Sequence, residues 1–218
     1  MRASKPTTKS TIKPAAACAR ILGAWLIASL IATTCGEQLL MALEPFFKSI
    51  ILLVQKDFSP TLEIVNQHGF AVLRLLPLTV RPYQLTPDMH LREGFILEGV
   101  TTSVDHAILP LVILSMLLFA WPFRYGFKEM CLRFVFGLVG AIVVMGVTTP
   151  LFLAARVQMN TMIFAAQLGG NPQKPLLIDW MIFTESGGRW LIPIVVGILC
   201  VRLSKGILVR QKLTIPAD

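Results

Sequence analysis

Apolar and polar residues in this chain are sorted into long blocks. Phe134 to Ala155 is a run of 22 residues without a single charge. At ~1.5 Å per helical residue such a run exceeds the ~30 Å hydrocarbon core of a bilayer. Ala107 to Phe123 is equally free of charge, and Ile21 to Gly36 forms a third block behind a basic leader. These blocks predict transmembrane helices over 21–36, 105–123 and 134–155, the last continuing outward to about residue 168, where Gly169 and Gly170 stop it. A fourth span is predicted over 189–209. It contains Arg202, whose long side chain reaches back toward the headgroups.

The stretches between the blocks have their own patterns. Over 37–56, Leu39, Leu43, Phe46, Phe47, Ile50 and Val54 recur at near-helical spacing around Pro45. This reads either as an amphipathic interfacial helix or as a bent extension of the first span. Residues 57–104 are punctuated by Pro60, Pro77, Pro82 and Pro87. Between them lie extended-type runs at Leu62–Val65, Phe70–Val80 and Phe95–Val100. That predicts a small strand-containing extracytoplasmic domain, too short for a robust core of its own and leaning on the helices or on a partner. The 169–188 loop has an apolar centre, Leu176 to Phe183, that suits a short interfacial or re-entrant helix. The fold class expected is therefore an α-helical membrane protein of about four transmembrane helices, with the small domain between the first and second.

Composition agrees: 55% of residues are hydrophobic and 15% charged, with a mean hydropathy of +0.69. Soluble domains carry about 25% charged residues. The net charge of +8 comes from Lys and Arg placed beside the apolar blocks, which suits anionic lipid and topology control and not nucleic acid. The tail 1–20, the loop 124–133 and the segment from Arg202 onward hold twelve Lys and Arg against two acids. The remaining segments hold eight against ten. The positive-inside rule then puts both termini in the cytoplasm and predicts a multi-pass protein of a bacterial inner membrane. The tails 1–20 and 210–218 are expected to be unstructured, and the first span reads as an uncleaved signal anchor.

Candidate chemistry sits at the span ends. Asp105 and His106 stand at the outer mouth of the second span, and Glu185 to Arg189 opens the fourth. Asp105, His106, Glu185 and Arg189 are the candidate outer-face cluster, an acid–imidazole–guanidinium set suited to carboxylate or phosphate binding or to proton handling. The competing reading is helix capping by Ser186, with Gly187 and Gly188 turning the chain. Gly137, Gly140 and Ala141 form a small-residue face for helix packing. Cys18, Cys35, Cys131 and Cys200 make no CxxC pair, and a Cys35–His106 catalytic pair has no local support. There is no GxSxG, HExxH or phosphate-binding glycine loop, so no catalytic set, metal or cofactor is predicted.

Asp105 to Phe123 and Phe183 to Trp190 give the chain a resemblance to the small membrane proteins that accompany exosortases, nearest the exosortase-H-associated group. The resemblance implies a non-catalytic partner in sorting or maturing exported proteins. The expected function is an accessory subunit of an inner-membrane sorting, export or envelope-assembly system, bound to lipid and to a membrane-protein partner. The alternatives are an enzyme with an outer-face pocket or, lowest, a small transporter, since no internal repeat is visible.

Overall fold

The computed structural model describes residues 14–86, 89–123 and 125–214; side-chain surroundings of 14, 89 and 211–214 are not described. The predicted unstructured tails lie in part outside these residues. Inside them, Pro14 to Arg20 are helical and the last helix runs on to Thr214, because proline suits a first helical turn and nothing after Arg210 breaks the pattern.

Helix α1 (Pro14–Val54) is continuous for 41 residues, so 37–56 is no separate interfacial helix but the extension of the first apolar block. Pro45 lies within it. Its acids and lysine sit where they do not interrupt the helix; Lys48 pairs with Glu44 one turn earlier at 2.7 Å. Helix α2 (Val104–Ala120) follows the sheet, α3 (Phe127–Gln167) is again 41 residues long, and α5 (Arg189–Thr214) ends the described chain. Three stretches are long and apolar enough to cross a membrane: α1, α3 and Leu176–Arg210, while α2 is a shorter apolar helix of 17 residues. The chain thus has the helices of a multi-pass membrane protein with a small sheet region attached.

The predicted 169–188 loop is largely helical. Helix α4 (Leu176–Phe183) passes through a π-helical turn at Thr184–Gly188 directly into α5. Gly187 makes the join at φ 125°, and a Cβ on Gly188 would fall 2.6 Å from the Phe183 ring, so both positions need glycine. The Trp180 indole donates to the Val147 carbonyl at 2.9 Å, close to Pro150 in α3, and pins α4 against that helix.

The sheet region is a long hairpin, β1 (Phe58–Gln67) and β2 (Phe70–Thr79), with β5 (Val100–Ser103) antiparallel to β2; β3 (Tyr83–Thr86) and β4 (Met89–Leu91) form a second small hairpin. His68 and Gly69, both at positive φ, turn the long hairpin. Glu63 faces Arg74 across the strands and accepts from its Nε at 2.6 Å. Of the expected run Phe95–Val100, only a single bridge from Ile96 to Leu78 and the first residue of β5 are strand-like. The main core joins this region to the helices without a seam. Leu40, Phe47 and Ile51 of α1 pack with Phe58, Leu62 and Leu75 of the sheet and with Phe152 and Leu153 of α3. Gln55 donates to the Ala154 carbonyl at 2.6 Å and locks the end of α1 to the middle of α3. Tyr83 stacks on Phe58 at 4.8 Å, and burial pushes its phenol above the usual tyrosine range.

Helices α1 and α3 run toward the sheet, α2 and α5 away from it. We call the two ends of the bundle the sheet end and the far end.

Candidate functional site

Charged side chains gather at both ends of the bundle. At the far end, Arg133 and Glu129 form an ion pair one helical turn apart on α3, with side chains 2% and 0% exposed. The Arg133 guanidinium donates to three carbonyls where α2 ends: Leu118 at 3.0 Å, Trp121 at 2.6 Å and Pro122 at 2.9 Å. Its cation lies 4.4 Å from the Phe123 ring centroid. The other Glu129 oxygen accepts from the Tyr125 amide at 3.0 Å. These carbonyls have no partner within their own helix, so Arg133 caps α2 with a full charge. Two charges counted on as a solvated topogenic loop are instead buried structural parts; Arg124 of that loop lies outside the described residues.

At the sheet end, α2, α3 and the π-helical turn enclose a cavity of about 640 Å³. His106, Glu185 and Arg189 all line it, so three of the four residues expected to form an outer-face cluster do share one pocket. Asp105 does not line it. It is exposed in the first turn of α2, where a carboxylate favours the positive end of the helix dipole, and one residue along a helix turns it away from His106. Arg156 of α3 lines the pocket as well, and its Nη2 donates to Glu185 at 2.8 Å. The pair is half-open, with side chains 38% and 44% exposed.

The floor is Phe152, 3% exposed. Arg189 stacks over its ring at 4.2 Å and Arg156 approaches the same ring at 5.3 Å. The two guanidiniums thus converge on one aromatic ring. Arg156 Nε is buried with no hydrogen-bond partner, and Arg189 makes no ion pair or hydrogen bond among the described residues. Thr101, Thr102 and Ser186 line the same cavity, as do Leu109 and Trp190. Ser103, not Ser186, supplies a helix cap: its Oγ accepts the His106 amide at 3.2 Å at the start of α2. Thr184 is spent on its own helix, donating to the Met181 carbonyl at 2.8 Å.

Arg156 was not among the expected site residues. Its partner is 29 positions away, beyond the reach of local pattern; the one signal was its place at the end of the longest uncharged run.

The remaining candidates fall elsewhere. A Cβ on Gly137 would meet the Leu118 side chain at 2.5 Å, and one on Gly140 would meet Val196 at 2.9 Å. Ala141 continues the same face beside α2. These small residues let α2 and α5 approach α3 within the molecule. Cys35 lines a different cavity from His106, so the two do not come together. All four cysteines are free, and among the described residues no group of three or more His, Cys, Asp or Glu could hold a metal ion.

A second feature was not foreseen. A groove of about 710 Å³ runs along α1 and α2 from Arg20 to Leu39, lined by Ala24, Ala28 and Ala32 on one wall and Ile108, Val112 and Phe119 on the other. None of the most apolar 18-residue stretch of α1 is buried inside the molecule.

Comparison with protein families, with curated proteins and with solved structures finds no match to this chain.

Proposed function

We propose that this chain is a non-catalytic accessory subunit of a bacterial inner-membrane protein-sorting, export or envelope-assembly system. It crosses the membrane four times with both termini in the cytoplasm and the sheet outside. The charge asymmetry supports that orientation, and the resemblance to exosortase-associated proteins supports the sorting role.

The observation that carries the reading is the groove along α1 and α2. Arg20 to Leu39 is 20 residues of helix, a rise of ~28 Å, close to the full hydrocarbon thickness. A lipid reaches only half that depth, whereas one transmembrane helix of a partner matches it. Alanines at every fourth position let a partner backbone approach closely, as small-residue helix contacts require. The occupant proposed is therefore a helix of another membrane protein.

A photo-crosslinking residue at Ala28 or Ala32 is expected to give one discrete adduct with a membrane protein, and the same residue at Ile142, on the exposed face of α3, none. The adduct is expected to vanish in Ala24→Trp. A chain that stays partnerless, or crosslinks alike from Ala28 and Ile142, sinks the proposal.

The shared pocket of His106, Glu185 and Arg189 favours a second reading, an enzyme acting at the outer face. It fails if alanine at each of the three leaves cellular function intact.

A further inference from the structure

The sheet-end pocket has the chemistry of a phosphate site, and its height along α3 says what surrounds it. Arg133 to Arg156 is 24 residues of α3, a rise of ~35 Å, about one hydrocarbon thickness plus a margin. Glu129 and Arg133 mark one end of that ruler, and Arg156, Glu185, Arg189 and His106 mark the other. The pocket therefore lies at headgroup level, with Trp190 exposed at its edge as interfacial tryptophans are.

We propose that this pocket binds a phosphate group, presented at that level by a membrane lipid. The argument is independent of the partner helix proposed above and needs only that the bundle spans the bilayer. Two guanidiniums converge on Phe152 while a single carboxylate, Glu185, offsets one of them. The surplus is one positive charge before His106 is counted, which an anionic phosphate group balances. Arg156 Nε and the whole Arg189 fork remain as donors for its oxygens. Helix α2 begins at the rim, so its positive dipole end adds to the field. Thr101, Thr102 and Ser186 supply hydroxyls for a tetrahedral group. Leu109 and Trp190 add apolar lining for the rest of a lipid, and Thr101 to Ser103 of β5 add polar lining.

The test uses the full chain in a neutral maltoside detergent and reads the fluorescence of Trp190, with Trp190→Phe identifying its share of the signal. The probes are dioctanoyl phosphatidic acid, dioctanoylglycerol (the same lipid without phosphate) and inorganic phosphate. Phosphatidic acid is expected to bind at least about tenfold more tightly than dioctanoylglycerol, and Arg189→Gln to weaken it by about tenfold. Glu185→Gln, at an exposed position, is expected to fold normally and to tighten binding severalfold by freeing Arg156. Inorganic phosphate that fails to compete assigns the group to a lipid; competition at similar concentration overturns the lipid source. Equal binding of the two lipids, or binding unmoved by both substitutions, overturns the site itself.

Discussion

Arginines stand at both ends of this bundle, and the two ends use them in opposite ways. At the far end Arg133 is buried with Glu129, and both of its terminal nitrogens are committed to carbonyls and a carboxylate. At the sheet end Arg156 and Arg189 are half-open and share one ring, and Arg189 makes no hydrogen bond among the described residues; an unpartnered Nε is common to both ends, on Arg133 and on Arg156. A buried charge that loses its partner is strongly destabilising; an exposed pair contributes little to stability and is free for other work. The same side chain thus holds a helix end in place at one pole and waits for an anion at the other.

The contrast breaks most sharply at Arg133. Arg133→Leu takes the buried ion-pair partner from Glu129 and strips the cap from α2, and is expected to cost about 3–5 kcal/mol. Thermal unfolding of the detergent-solubilised chain measures it, and Arg133→Lys is expected to recover little because one ammonium cannot reach all three carbonyls. Next in size is Gly187→Ala, which forces a side chain onto a left-handed backbone at φ 125° and is expected to cost about 1–3 kcal/mol by the same measurement. It also disturbs the turn that carries Glu185, so anion binding falls with it. Smallest is the sheet-end pair: Arg156→Gln is expected to change stability by less than about 1 kcal/mol while weakening phosphatidic acid binding. A large stability loss there would erase the distinction between the two ends.

What the sequence made legible follows from physics that acts locally. Runs without charge announce helices because no polar side chain needs solvent, and the uncharged stretches of α2 and α3 follow that logic. The continuation of α1 through Glu37 to Val54 was harder to read. Pro45 is a breaker by rule, yet Leu40, Phe47 and Ile51 bury the helix against the sheet and α3, and that packing outweighs a local preference. Arg133 looked like a topogenic charge because its carbonyl partners lie 11 to 15 positions back, on another helix. His106, Glu185 and Arg189 were visible as polar residues at span ends, but their convergence depends on α2 and α5 starting side by side, which only the fold supplies. Asp105 was grouped with them by adjacency, and a helix turns neighbours apart.

The length of α1 has one more consequence. From Arg20 to Val54 it measures ~51 Å; on the proposed topology ~30 Å of that fits in hydrocarbon and ~20 Å stands clear of the bilayer. Phe47 and Ile51 anchor the sheet to that protruding length, and Gln55 ties it to α3. No linker separates sheet from helix. On that topology whatever the strands touch is met at a fixed altitude above the lipid, and the rigid junction makes the proposed subunit a stand-off as much as an anchor.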